Sequence, residues 1–207
     1  MTAENKSNVG APQDAPHSAS KQFDTLALPK GNARGVNMQR ASAADIEDFS
    51  GIAERTIGHL AMSVTIQRIA SCHPDNIWII HDSRTRATIG CYAQIMLTAV
   101  GYAALVDGSF NGHDPVPSHC ATPLDAITGI YTWAVIGRGR AALGVTLMSR
   151  ILNTPTYRHL DLYTVPVTED GMRSIQSIGY RPVNEGGLGA LYIYRRLANL
   201  ADQGRVN

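Results

Sequence analysis

The chain has 207 residues, 44 % of them apolar and 17 % charged, with a formal net charge of +1. That length and apolar content fit one globular domain with room for a tail. The near-neutral charge excludes a basic field for non-specific nucleic-acid binding, and the thinly charged surface is what a domain partly covered by a second copy of itself would carry. Three widely spaced cysteines, Cys72, Cys91 and Cys120, argue against a disulfide framework and for a reducing compartment.

In chain order, residues 1–34 are rich in Ala, Ser, Asn, Pro and Gly, show no apolar period and contain no secretory signal. They read as a loosely held tail ahead of a domain over 35–198, with a short second tail over 199–207. Cytoplasmic residence is the expectation. Residues 36–40 suit a short strand. Ser42, with Asp45 three residues on, makes a capping box for a helix carrying Ile46, Phe49, Ile52 and Ile57 on one stripe. A second helical piece covers about 61–70, ahead of Pro74. Residues 76–82 and 88–97 read as a hairpin around a turn at 83–86. The apolar run 89–106 is interrupted too often by polar residues and glycines to span a membrane. Residues 99–107 fit helix and strand equally, and 108–125, with three prolines, is a long loop.

The second half is more regular. Residues 127–135 (ITGIYTWAV) form a strand, and 141–152 a helix with Leu143, Leu147, Met148 and Ile151 on one side. Residues 159–164 form a strand. Thr168 caps a helix that is apolar at Met172, Ile175 and Ile178 and ends at Gly179. Residues 180–183 and 190–195 are extended, the latter after a Gly-Gly-Leu-Gly turn.

The loop from Gly137 to Gly144, GRGRAALG, places small residues where a strand turns into a helix. The first amides of a helix lack internal partners and carry partial positive charge, so a phosphate can approach them closely. Arg138 and Arg140 can add charged hydrogen bonds. A tight turn with both arginines in water is the competing reading. The loop is neither a P-loop nor a dinucleotide fingerprint.

Two stretches, ITGIYTWAVIGRGRAALGVTLMSRIL and TEDGMRSIQSIGY, together resemble the GCN5-related N-acetyltransferases (GNAT). That family has a strand, an Arg/Gln-x-x-Gly-x-Gly/Ala loop, a helix with a Leu-Leu face, and a later helix ending in Gly-Phe/Tyr. Alignment on Leu147-Met148 sets the loop at Gly139, Arg140, Ala141, Ala142, Leu143 and Gly144; Gly139 stands where the family has Arg/Gln, and sliding the register makes Arg138 or Arg140 the leading base. The helix tyrosine that often serves the family as general acid is replaced by Ile175.

The resemblance implies an α/β fold with a mixed, mostly antiparallel sheet flanked by helices on both faces, and two central parallel strands that splay apart. It implies acetyl-CoA or another acyl-CoA as cofactor, held by residues 138–144 and by the backbone near Val135. The acceptor would be a small-molecule or peptide amine, with neither nucleic acid nor membrane as partner. With Ile175 unable to donate a proton, Tyr163 and Tyr180 become the candidates for general acid, and Asp125, Glu169 and His81 for base. A catalytically silent domain of the same fold, used for sensing or assembly, is the alternative; an open cleft between the splayed strands would favour the enzyme and a plugged one the silent domain. His113, Asp114, His119 and Cys120 share a loop, but their spacing matches no common zinc pattern.

Overall fold

The structure is a computed structural model, described here for residues 35–47, 63–137, 139 and 143–196. The tails and the stripe residues Phe49, Ile52 and Ile57 lie outside the described residues. Among the described residues, seven strands make one sheet: β1 (Val36–Arg40), β2 (Ile77–Asp82), β3 (Thr88–Leu97), β4 (Gly129–Gly137), β5 (Leu162–Thr164), β6 (Arg181–Pro182) and β7 (Tyr192–Tyr194). Their spatial order is β1-β2-β3-β4-β5-β7-β6, and every neighbouring pair is antiparallel except β4 with β5. The mixed, mostly antiparallel sheet expected from the sequence is therefore the sheet observed.

Among the described residues, the helices α1 (Ser63–Cys72), α2 (Ala99–Asp107), α3 (Leu143–Leu152) and α4 (Glu169–Ile178) cover it, and residues 43–47 are also helical. Side-chain alternation along the strands sorts the core between two faces. Trp78, Tyr92, Met96, Ile130, Leu162 and Tyr194 pack with Met148 and Leu152 of α3 and, less tightly, with Met172 and Ile175 of α4. On the opposite face, Ile79, Cys91 and Ala93 pack with Ile66 of α1, while Ile95, Leu97, Tyr131 and Tyr163 pack with Ile69 of α1 and Leu105 and Tyr102 of α2.

Local signals explain the elements. The capping box forms as expected: the Ser42 amide and hydroxyl both donate to Asp45 Oδ2, at 2.8 and 2.6 Å. Residues 99–107 resolve as helix. Apolar on all sides, they give no period to read, but Thr98 accepts from the Gly101 amide at 3.0 Å and Gly108 takes the left-handed conformation, so cap chemistry decides. Gly101 also lets α2 approach the 3-10 turn Pro117–His119; a Cβ there would lie 2.2 Å from the His119 carbonyl oxygen.

The strand expected over 159–164 shortens to Leu162–Thr164, because residues 153–160 form successive turns. Those turns carry Tyr157, whose hydroxyl donates to Asp75 Oδ2 at 2.5 Å. Asp75 also accepts from Arg40 Nε at 2.6 Å, and its carbonyl accepts from Trp78 Nε1 and Gln94 Nε2, so one buried aspartate joins β1, β2, β3 and the segment after α3. Burial first, then the Asp75 carboxylate, pushes the Tyr157 hydroxyl above its ordinary range, which keeps it a donor. Among the described residues no helix is long and apolar enough to cross a membrane.

Candidate active site

The site begins where two strands part. β4 pairs with β5 over only three positions, Ile130 with Leu162, Tyr131 with Tyr163 and Thr132 with Thr164, and the last is reinforced by Thr164 Oγ1 donating to the Thr132 carbonyl at 3.1 Å. β4 then continues to Gly137 paired on its β3 side, while the chain beyond Thr164 turns away toward α4. The β5-facing edge of β4 is thus left without a strand partner from Trp133 onward, and its backbone donors and acceptors face the gap.

A bulge sets which side chains meet that gap. Ala93 pairs with Ala134 but Gln94 pairs with Thr132, so Trp133 is an extra residue in β4. The extra residue puts Trp133 and Ala134 both toward α1, where they pack on Ile79, Cys91 and Ala93. Thr132 and Val135, three apart, therefore share the α3–α4 face, and Val135 is 48 % exposed there.

On that face lies a cavity of about 410 Å³, walled by β4 (Thr132, Val135, Gly137), α3 (Val145, Met148, Ser149, Leu152) and α4 (Gly171, Ser174, Ile175, Ile178). Its inner side carries hydroxyls. Tyr92 shares a hydrogen bond of 3.0 Å with Thr132 Oγ1, and burial pushes the Tyr92 hydroxyl up to about 12, with the Thr132 bond opposing that rise. Tyr180 and Tyr194 lie ring to ring at 5.5 Å beside it. Burial, reinforced by Tyr92, raises the Tyr180 hydroxyl well above its usual range, so it holds its proton at neutral pH. At the far end is Arg196, 4 % exposed, which donates to the Leu152 carbonyl at 2.6 Å, to Asn153 Oδ1 at 2.7 Å and to the Arg158 carbonyl at 3.2 Å. It satisfies the last turn of α3 with a cation, where the helix dipole favours one.

α3 and α4 both begin at the open end. Thr168 caps α4 and accepts from the Gly171 amide at 3.1 Å. Asp170, on the cavity wall, is ion-paired to Arg173. Gly139 has a φ of +57°, in the left-handed region that favours glycine. Gly144 has a packing reason to be small: a Cβ on it would stand 2.2 Å from Ile80 Cδ1, so α3 sits directly on β2.

Of the sequence candidates, Val135 and Tyr180 line the cavity, while Leu143 and Gly144 stand in the first turn of α3, just ahead of the lining residue Val145. Arg138, Arg140, Ala141 and Ala142 lie outside the described residues. Tyr163 points to the opposite face, edge-on to Tyr102 at 5.7 Å. Trp133 and Tyr131 also face away: Trp133 Nε1 donates to the Gly112 carbonyl at 2.6 Å, and Tyr131 packs on Phe110. Asp125 closes a turn by accepting from Thr122, and Asp82, beside His81, does the same for Arg84 and Thr85. Asp114 binds Thr65 and Arg68, pinning the long loop to α1. The sequence reading missed Tyr92, Thr132, Tyr194 and Arg196. Only alternation along the strands could have flagged them, and the bulge shifts that alternation within β4.

No protein-family model matches the chain, and no curated protein sequence matches it. Solved structures do. Ard1 from Thermoplasma volcanium superposes with a TM-score of 0.51 at 11 % identity, over 77 % of this chain and 95 % of that one. Arabidopsis thaliana NAA60 in complex with acetyl-CoA gives 0.50 at 13 % identity, over 77 % and 99 %. A GNAT family N-acetyltransferase from Escherichia coli, YhbS, in complex with CoA, gives 0.48 at 11 % identity, over 82 % and 86 %. The chain has the GNAT fold. Within that fold, β4 and β5 are the parallel pair expected to splay, and the cavity opens where they part.

Proposed function

We propose that this chain is an acyl-CoA-dependent N-acyltransferase, moving an acyl group, acetyl in the simplest case, from CoA to a primary amine. The observation that carries the reading is the parting of β4 and β5 after three pairs into an open cavity that reaches the first turns of two helices. The open cavity also weighs against the silent-domain alternative, for which a plugged cleft is expected. The cofactors in the complexes of NAA60 and YhbS, acetyl-CoA and CoA, belong to the same chemical class.

The residues present fit such a cofactor. The uncovered edge of β4 from Trp133 to Gly137 offers backbone groups to the amides of a pantetheine arm, as a missing strand would. The amides opening α3, at Leu143 and Gly144 and in the loop from Arg138 to Ala142, would hold the pyrophosphate, with Arg138 and Arg140 supplying charge. CoA itself supplies an acyl group activated as a thioester.

In the transfer, the amine nitrogen attacks the thioester carbonyl carbon. A C–N bond forms, the C–S bond breaks, and its electron pair leaves with sulfur. The amine gives up one proton and the sulfur gains one. Backbone donors of β4 where it parts from β5, from Trp133 to Val135, would polarise the carbonyl. We assign the proton for the sulfur to Tyr180 because its side chain lines the cavity, whereas Tyr163 faces the other side of the sheet. The acceptor is a small-molecule or peptide amine.

The test is calorimetric titration of the whole chain with CoA and acetyl-CoA. Saturable binding of both with micromolar constants is expected. Absence of binding at millimolar ligand would overturn the reading and leave the silent domain in its place.

A further inference from the structure

The cavity is longer than an acetyl group needs. The thioester belongs at the parting of the strands, beside Thr132 and Thr164, because only beyond that point is the edge of β4 open for the pantetheine arm. The cavity is also lined on the other side of that point: Leu162 pairs with Tyr194 two residues before Thr164, and Arg196 lies two residues beyond Tyr194. Whatever occupies that side, the inner limb, hangs from the acyl side of the sulfur.

Its walls are apolar. Met148 and Leu152 of α3, Leu162 of β5 and Ile178 of α4 surround it. α4 is informative here. It presents Met172, Ile175 and Ile178 on one side, yet none of its residues is buried, and Ile178 remains 38 % exposed. A helix normally covers such a stripe against the core. Here Met172 and Ile175 cover the core only in part, and Ile175 and Ile178 also wall the cavity. Arg196 lines the inner limb too, and its guanidinium is held in place by the Leu152 and Arg158 carbonyls and by Asn153.

Resting on the acyl-CoA reading above, we infer that the acyl group is longer than acetyl: an apolar chain lying between α3 and α4 with its tip toward Arg196. The strand register bounds its length. Tyr192 lies level with Thr164, and Arg196 is four residues further along the chain, or roughly 13 Å at about 3.3 Å per residue. An extended carbon chain advances roughly 1.2 Å per bond, as three backbone bonds do over about 3.6 Å, so about ten carbons is the upper limit. The Tyr92, Thr132 and Tyr180 hydroxyls then stand at the carbonyl end, where polarity is wanted, and the aliphatic side chains stand along the tail.

The experiment is calorimetry of the full chain with CoA and with acetyl-, butyryl-, hexanoyl-, octanoyl-, decanoyl- and palmitoyl-CoA. Affinity should rise by about fourfold per added methylene, the value for burying one CH₂, and should fall again by palmitoyl-CoA. Ile178→Trp, at a partly exposed position that tolerates bulk, should fill the limb and bring hexanoyl- and acetyl-CoA to similar affinities. If CoA and acetyl-CoA bind but lengthening the chain brings no gain, the inner limb takes no acyl chain and this inference fails while the cofactor assignment stands. A gain that continues through palmitoyl-CoA and ignores the Trp substitution would mean adhesion to the surface, and also overturns it. If no CoA species binds, the underlying reading fails and takes this one with it.

Discussion

Gly144→Ala separates two reasons for a glycine at the start of α3: to seat the helix on the sheet, or to let a phosphate approach. An added Cβ would stand 2.2 Å from Ile80 Cδ1, 2.8 Å from Cγ1 and 3.4 Å from Cγ2. Ile80 is 1 % exposed and β-branched, so its side chain has little freedom to swing away. Overpacking of this kind costs about 1–3 kcal/mol, and alanine's higher helix propensity returns at most about 1 kcal/mol, less in a first turn. The expected net loss is about 1–2 kcal/mol, or roughly 2–8 °C in melting temperature for a domain of this size. Urea denaturation measures it. Ile80→Ala removes all three contacted atoms, so the double variant should lose less than the two single losses added together, with a coupling of about 0.5–3 kcal/mol. A Gly144→Ala protein as stable as wild type, yet unable to bind CoA, would refute the packing argument and make the glycine a ligand contact.

Other expectations are as direct. Tyr180→Phe should lower turnover about a hundredfold with CoA affinity nearly unchanged, while Tyr163→Phe, on the other face, should turn over like wild type; steady-state kinetics with an identified amine decides between them. Tyr157→Phe should cost about 1–3 kcal/mol, since it strips a buried hydrogen bond from Asp75 and leaves Arg40 as its remaining side-chain donor; unchanged urea midpoints would contradict the role given to that aspartate. The Ser42 hydrogen bonds hold the Asp45 carboxyl below its ordinary value, so its folded pKa lies below the unfolded one. That contribution is complete above about pH 4 and is lost as pH falls through the folded value. Asp45→Asn should therefore cost about 1 kcal/mol at pH 7, with the gap shrinking as pH falls below about 4, and a gap that stays constant through the acid range would refute it.

Much of the fold was legible because its signals are local. Ser42 with Asp45, Thr168 with Gly171, and Gly179 in the left-handed conformation each mark a boundary from within a few residues. Helix α2 was undecidable by period, since Val100, Leu105 and Val106 give no preferred side, although Thr98 and Gly108 held the answer. The features that build the site are non-local. Nothing near Thr132 announces that it will pair with Thr164, or that an extra residue at Trp133 will turn Val135 toward α3. Arg196 reads as one basic residue in a terminal Arg-Arg pair, and only the return of β7 beside β5 brings it under the end of α3. Gly144 was read as making room for a ligand, when the nearer demand comes from a strand more than sixty residues earlier in the chain.

The position of β7 has a kinetic meaning. It lies between β5 and β6, although both precede it in the chain. On the ribosome, where domains form from the N-terminal side at about 5–20 residues per second, β1 to β5 can assemble while β6 still has no neighbour to bond. Tyr194 and Arg196 arrive with β7, so until then the chamber under α3 and α4 lacks both of these lining residues. The proposed acyl-CoA would therefore find its complete chamber only after β7 has paired, however much of the sheet has formed. Synthesis and the proposed ligand capture would thereby be ordered in time, with the last strand acting as the latch.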